Sequence, residues 1–203
     1  LRLLKRMVWK MTQILSAKFF HKEDIGTEVQ VSKLLDDINN VYDSTQSTSA
    51  TNLDCWRSSH VYKDTDWLTD AIIDLVNENV DYYSELDSIF SKLMTTHQRK
   101  YILTYWTNVN KPGSRNVMHS HKDAIFSGVY YVKGADTGDL RIVNPANVLG
   151  DCDAISPFVR DFYFTPADKD LIMWPSWLPH EVETNKHASK NRINIAFDIR
   201  IAK

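Results

Sequence analysis

The amino-acid sequence predicts a mainly β fold, a β-barrel or jelly roll with N-terminal helices covering one sheet. Two segments in the first half of the chain place apolar residues near the helical spacing of 3.6 residues. After Lys100, short apolar and β-branched runs are separated by Gly, Pro and Asn, which is the pattern of an antiparallel barrel or sandwich. Helices first and strands second favour one domain in which the helices pack on a sheet.

The individual elements follow from local patterns. A short strand is expected at residues 12–20, an amphipathic helix at 27–42, a hydroxyl-rich loop at 44–52 and a longer helix at 66–90. Residues 101–109 are β-branched and aromatic, so they predict the first strand of the barrel. Further strands are predicted at 125–132, 139–143, 158–164, 170–174, 180–184 and 192–201.

Composition limits the classes of function. The 203 residues suffice for one domain, in which we expect residues 12–99 to form a helical part and 100–203 the barrel. A formal net charge of -2 argues against a nucleic-acid or anionic-membrane surface as the main role. No apolar run approaches the roughly 18 residues that span a bilayer. Lys10 and Lys18 interrupt the N-terminal apolar stretch, so we expect a cytoplasmic protein, with its oligomeric state open.

Three potential metal ligands lie within five residues, namely His119, His121 and Asp123. Residues two apart in a strand face the same way, so these side chains share one face if the chain is extended there. Imidazole and carboxylate ligands in a facial arrangement with open positions are typical of non-haem Fe(II) oxygenases. Taken alone, two histidines at this spacing are more often polar residues on a solvent-exposed face.

A third imidazole and an arginine follow downstream. His180 comes after Pro175 and Pro179, which cannot donate to a strand ladder and therefore turn the chain. Arg192 opens a strand with one wholly apolar face, which we expect to pack under the helices while Arg192 and Asn194 face the interior. A buried guanidinium is unfavourable unless it meets an anion, which a dicarboxylate ligand would supply. The alternative for Arg192 is an ordinary salt bridge.

These segments resemble the Fe(II)- and 2-oxoglutarate-dependent oxygenases, and more narrowly a group of them found in bacteria and phages. The resemblance covers residues 100–200 well and the N-terminal hundred loosely. It implies a double-stranded β-helix and a hydroxylase that couples oxidative decarboxylation of 2-oxoglutarate by dioxygen to oxidation of a substrate. The segments that carry it are 105–108, 118–121, 127–132, 171–182 and 192–197.

The resemblance also implies an iron site made of His119, the residue two positions further on, and His180. The wider superfamily has Asp at that second position, where this chain has His121. The other register, His121 with Asp123, contains an intact His-x-Asp pair. A carboxylate is chemically favoured because it lowers the charge on the iron, whereas the narrower group's pattern favours two histidines. We expect His119, His121 and His180 as ligands, with Asp123 as the alternative.

By the same resemblance, Arg192 and Asn194 would bind the distal carboxylate of 2-oxoglutarate. Asn108 is a candidate pocket residue. Tyr130 and Tyr131 point to opposite faces of their strand, so only one can line the pocket, and we assign that position to Tyr130. The substrate is expected to be a small molecule or a protein side chain, without nucleic acid or membrane.

Two other functions compete with this interpretation. One is a cupin-type dioxygenase or isomerase with a three-histidine metal site and no 2-oxoglutarate. The other is a non-catalytic jelly-roll module that binds a sugar or a protein through its aromatic residues. The cupin-type enzyme would leave Arg192 without a role, and binding of Fe(II) with 2-oxoglutarate distinguishes all three functions.

Overall fold

The computed structural model describes residues 19–48, 52–86, 101–146 and 160–201. Every strand pair in these ranges is antiparallel. In chain order the elements are β1 (Phe20–Lys22), α1 (Glu28–Ser44), β2 (Asn52–Ser58), α2 (Asp66–Leu86), β3 (Tyr101–His119), β4 (Phe126–Lys133), β5 (Leu140–Ile142), β6 (Phe162–Phe164), β7 (Leu171–Pro175), β8 (His180–Val182) and β9 (Arg192–Ile201).

The two helices form where the periodicity predicts them. Thr27 caps α1, since its hydroxyl accepts from the Gln30 backbone N–H at 3.3 Å while the Gln30 side chain accepts from the Thr27 N–H at 2.8 Å. Residues 87–90 of the predicted second helix and 12–18 of the predicted first strand lie outside the described residues. Both helices bury one apolar stripe, made of Val31, Leu34 and Ile38 in α1 and Leu68, Ile72, Leu75 and Val76 in α2.

The strands form one sheet in the order β1-β7-β4-β9-β3-β8-β5-β6, and β2 pairs with β3 off this path. The two ends of this order meet, because Phe19 beside β1 stacks on Phe162 of β6 with ring centres 4.5 Å apart. His21 of β1 also contacts Phe164 of β6 edge to face at 4.8 Å. The sheet is therefore curled, which confirms the expected jelly-roll architecture with helices on its larger face.

Alternation along the strands separates two apolar cores. On β9, Ile193, Ile195, Phe197 and Ile199 pack against the helices, as the sequence predicts. The opposite face of the sheet looks into the curl. There a second, smaller core fills part of the interior, built from Val129, Tyr131, Leu140, Ile142, Ile172, Trp174 and Leu178. The rest of the interior is the cavity that holds the polar groups of interest.

Strand β2 is an element that the sequence pattern missed. The predicted loop extends to residue 52, whereas β2 begins at Asn52 and runs along one edge of β3, with Trp56 opposite Val109 and Arg57 opposite Asn108. Its alternation is weak because, among the described strands, β2 has a partner on one side only. The N-terminal part is therefore not purely helical, since it contributes two strands to the sheet.

Strand β3 is longer than predicted and links both halves of the curl. Its first ten residues pair with β9, and its last residues pair with β8. Gly113, with φ 88°, lies where the strand changes partners. One extra residue between Asn116 and His119 shifts the register against β8. Among the helices of the described ranges, none is long and apolar enough to cross a membrane.

Candidate metal centre

Three imidazoles converge inside the curl. His119, the last residue of β3, lies directly opposite His180, the first residue of β8, so strand pairing alone brings them together. His121 follows two residues later, where its backbone N–H donates to the Ser176 carbonyl at 3.0 Å. One nitrogen from each ring lies within 4.8 Å of the others. His180, which is 59 positions after His121 in the chain, thus lies beside the local pair His119 and His121.

Hydrogen bonds orient two of these rings in the same way. The Nδ1 atom of His119 lies 2.7 Å from the Val117 carbonyl, and that of His180 lies 3.0 Å from the Leu178 carbonyl. A carbonyl oxygen can only accept, so each Nδ1 carries the proton. Each Nε2 therefore keeps its lone pair, which is the form that binds a metal.

Burial keeps these two rings neutral. Loss of hydration lowers the pKa of His180 to about 3, with the neighbouring His119 adding to the effect. The same loss of hydration lowers the pKa of His119. Neutral imidazoles bind a cation without first releasing a proton. The site is therefore prepared for a metal at neutral pH.

The third ring has a different partner. His121 Nδ1 lies 2.6 Å from Oδ1 of Asp198, a carboxylate on β9 that is 6% exposed. The same oxygen accepts from the Ser127 hydroxyl at 2.7 Å. Carboxylate–histidine–metal arrangements of this type fix the ring and raise its basicity. The sequence analysis did not include Asp198 among the site residues. An acidic residue on the inward face of an otherwise apolar strand could have indicated it.

Asp123 lies apart from this group. Strand β3 ends at His119, and residues 122–123 form a turn, so the alternation expected through 123 does not extend that far. The Asp123 side chain is exposed. Of the three neighbouring candidates, the structure brings His119 and His121 together with His180 and leaves Asp123 outside.

Arg192 is fully buried with incomplete hydrogen bonding. Its Nη2 donates to the carbonyl oxygens of Thr137 and Glu183, the latter at 2.9 Å. Its Nε and Nη1 are buried without an acceptor among the described residues. Loss of hydration lowers the pKa of this guanidinium. The guanidinium forms no salt bridge with a carboxylate of the described residues. An anionic ligand would therefore stabilise its buried positive charge.

The imidazoles line a cavity of about 710 Å³. Asn108 and Asn194 both lie in its wall, joined by a hydrogen bond of 3.0 Å. Tyr131 lines it as well, and Tyr130 does not, which corrects the sequence-based assignment. Tyr130 belongs to the opposite face of β4, where it packs in the helix-side core and its hydroxyl donates to the Ile25 carbonyl at 2.8 Å. Arg192 is not in the wall itself and lies behind it.

Two indole rings flank the imidazoles. Trp106 stacks on His121 with ring centres 5.8 Å apart, and Trp174 meets His180 edge to face at 4.9 Å. Both indoles line the cavity. They restrict the imidazoles to one orientation and limit the access of water to them.

Comparison with protein families matches residues 104–198 to the family model described as "Putative 2OG-Fe(II) oxygenase". That segment contains all three histidines together with Arg192 and Asp198. Over this segment the chain is similar to the 2-oxoglutarate- and Fe(II)-dependent oxygenases. It is an oxidoreductase whose cofactors are Fe(II) and 2-oxoglutarate, and a group of three imidazoles fits a ferrous ion.

Solved oxygenases share the fold at low sequence identity. A prolyl-4-hydroxylase from Pseudomonas putida matches with a TM-score of 0.62 and 12% identity, over 96% of this chain and 98% of that one. A prolyl hydroxylase from Trichoplax adhaerens, in complex with a peptide fragment of hypoxia inducible factor, matches with 0.61 and 12%, over 98% and 93%. HygX from Streptomyces hygroscopicus, with nickel, 2-oxoglutarate and hygromycin B bound, matches with 0.56 and 10%, over 96% and 86%.

These likenesses show a common double-stranded β-helix fold. A comparison with curated proteins finds no match to this chain.

Proposed function

We propose that this oxygenase oxidises a small molecule or a protein side chain at a ferrous ion held by His119, His121 and His180. The observation that carries the proposal is the convergence of three imidazole nitrogens within 4.8 Å. Two of the rings have Nδ1 bonded to a carbonyl, so their Nε2 atoms are the available ligand atoms. Three protein ligands leave positions open for a cosubstrate and dioxygen.

Asp198 supports this assignment of the ligands. A site of three imidazole ligands lacks the negative charge that a carboxylate ligand gives to iron. In this chain the buried carboxylate of Asp198 contacts one of the proposed ligands, since its Oδ1 lies 2.6 Å from Nδ1 of His121. We assign Asp198 the role of orienting His121 and compensating part of the positive charge of the ion.

Arg192 and Asn194 are the proposed partners of 2-oxoglutarate. Arg192 has buried N–H groups without acceptors among the described residues, and a carboxylate accepts two parallel bonds from a guanidinium. Asn194 lines the cavity on the same face of β9. Tyr131 lines the cavity and interacts electrostatically with Arg192. We therefore expect 2-oxoglutarate to approach Arg192 from the side of the cavity that Tyr131 lines.

Iron and 2-oxoglutarate, when bound, supply the oxidative decarboxylation that activates dioxygen. The residues of the chain contribute position and surroundings. The strand pairing of His119 with His180 fixes two ligand rings, and the hydrogen bond to Asp198 fixes the third. The indoles beside them limit the access of water, which protects a reactive site from side reactions.

The cavity supports a substrate of limited size. A volume of about 710 Å³ falls within the range for small-molecule sites and must hold 2-oxoglutarate as well. A small molecule, or one side chain entering from a larger partner, fits that space. The proposed location is the cytoplasm.

Anaerobic titration tests the proposal. Fe(II) is added to one equivalent, followed by 2-oxoglutarate, while the visible absorption spectrum is recorded. We expect a weak charge-transfer band, then succinate formation when dioxygen is admitted. Tight iron binding without the band would favour a three-histidine enzyme that does not use 2-oxoglutarate. Absence of tight iron binding would contradict the metal assignment.

A further inference from the structure

The cavity wall contains an arginine from strand β2. Arg57 lies on β2 and is half-buried, with its Cζ atom 4.4 Å from the centre of the Trp106 ring. Trp106 in turn stacks on His121. A single indole ring therefore separates the Arg57 guanidinium from an imidazole of the metal centre.

The Arg57 guanidinium has no hydrogen bond or ion pair with any residue that the structure describes. Arg141 shows the contrast, because Asp161 and Glu181 each hold it at 2.7 Å. Loss of hydration lowers the pKa of Arg57, and the electrostatic effect of Asp198 and Cys55 opposes this shift only in part. A half-buried guanidinium that forms no ion pair with the described residues is stabilised when an anion binds to it.

The charges in the cavity wall are unbalanced. Among the lining residues, Arg57 and Arg200 are cationic, and Asp198 is the acidic one. Asp198 is already engaged by His121 and Ser127. Binding of Fe(II) with doubly charged 2-oxoglutarate adds no net formal charge. The loaded site therefore keeps an excess of positive charge for a third molecule.

Arg57 lies two strands away from Asn194, a residue proposed to bind 2-oxoglutarate. Strand register aligns Arg57, Asn108, Asn194 and Tyr131 in one row across β2, β3, β9 and β4. Neighbouring strands are about 4.8 Å apart, so Arg57 and Tyr131 lie at opposite ends of a row roughly 14 Å long. Arg192 lies two residues along β9 from Asn194 and interacts electrostatically with Tyr131 and with Cys55. Two strand spacings, about 10 Å, therefore separate the backbone of Arg57 from that of Asn194, and this leaves the β2 side of the cavity wall available to a substrate.

We infer that the substrate carries a carboxylate or phosphate group, which Arg57 binds while stacked on Trp106. The inference rests on the proposed function, since it assumes that 2-oxoglutarate occupies the side of Arg192. A planar guanidinium presents paired N–H donors that match two oxygens of either anion. Stacking on the indole holds the side chain in place before binding, which reduces the entropy lost on binding. Strand β2 precedes the family-matched segment 104–198, so this contact belongs to the chain's own N-terminal part.

The test uses the anaerobic enzyme loaded with Fe(II) and saturating 2-oxoglutarate. Calorimetric titrations compare benzoate, methyl phosphate and uncharged benzamide on wild type, Arg57→Gln and Arg115→Gln. Arg115 is an exposed β3 residue outside the cavity wall and is the matched control. We expect at least one anion to bind about tenfold or more tightly than benzamide, with the preference lost in Arg57→Gln and kept in Arg115→Gln. Tighter binding of benzoate than of methyl phosphate assigns a carboxylate, and the reverse assigns a phosphate.

Equal binding of benzamide and the anions overturns the inference, as does failure of both anions to bind or an anion preference that survives Arg57→Gln. The charge-transfer band, recorded on the same samples, separates this failure from that of the proposed function. With the band present, a missing anion preference removes only the role of Arg57. With the band absent, the proposed function is wrong and the inference falls with it.

Discussion

His121 Nδ1 and Asp198 Oδ1 lie 2.6 Å apart, although 77 positions separate the two residues in the chain. The other two imidazoles of the group bond to neutral carbonyl oxygens two residues before them. His121 is thus the member of the trio whose ring is backed by a carboxylate. The negative charge that the His-x-His pattern lacks is recovered from the last strand of the fold.

Replacing Asp198 by Asn should weaken Fe(II) binding by about 10- to 100-fold, because the ring of His121 loses its charged partner. A competition titration against a chromogenic chelator measures this. The visible absorption of the Co(II)-loaded protein should also change, which a purely structural effect elsewhere would not produce. Ser127→Ala is the control, since it removes only the second hydrogen bond to the same oxygen. Unchanged metal affinity in Asp198→Asn would contradict the role assigned to it.

Replacing His119 or His180 by Ala should abolish stoichiometric iron binding, since each removes one of three ligand atoms. Asp123→Ala should retain one equivalent of iron, because its side chain is exposed in a turn outside the group. Metal analysis of the purified variants after anaerobic loading decides between the two ligand sets. Loss of iron in Asp123→Ala together with retention in His119→Ala would reverse the assignment.

Replacing Arg192 by Ala should raise the KM for 2-oxoglutarate by about a hundredfold or more, because a charged bidentate partner is lost. Iron should still bind at one equivalent. The measurement is succinate formation at increasing 2-oxoglutarate, with metal analysis and a thermal melt to verify the fold. Arg115→Ala, an exposed arginine on β3, provides the comparison. Wild-type succinate production in Arg192→Ala would exclude this residue from cosubstrate binding.

The adjacent tyrosines offer a matched pair. Tyr131→Phe should raise the KM for 2-oxoglutarate while stability stays close to wild type, because this residue lines the cavity beside Arg192. Tyr130→Phe should leave KM unchanged and lower the free energy of unfolding by about 1 kcal/mol, because its hydroxyl bond to the Ile25 carbonyl is lost. Steady-state kinetics and urea denaturation measure the two effects. An identical response of both variants would show that the two faces of β4 are not functionally distinct.

Much of the β framework was predictable because its signals are local. Strands β4, β7 and β9 are short, apolar and bounded by turn residues, and their predicted limits agree with the structure to within a few residues. The wholly apolar face of β9 was sufficient to predict which side meets the helices. His119, His121 and His180 could be singled out because histidines at this spacing, followed by a proline corner, form an uncommon pattern.

What the sequence could not reveal depends on long-range register. Asp198 meets His121, and Arg57 stacks on Trp106, only because β9 and β2 pair with β3 in particular alignments. The assignment of Tyr130 was wrong for a related reason. Alternation states that neighbours on β4 face opposite ways, but only the packed structure determines which of them faces inward.

The extra residue in β3 has a further consequence. Asn116 and His119 both face the cavity although they are three positions apart, which regular alternation forbids. Deleting either Val117 or Met118 would leave Asn116 and the first imidazole two positions apart, so both would still face the cavity opposite Val182 and His180. The extra residue therefore adds local bend and twist to β3 beside the three histidines and does not decide on which face the imidazole lies.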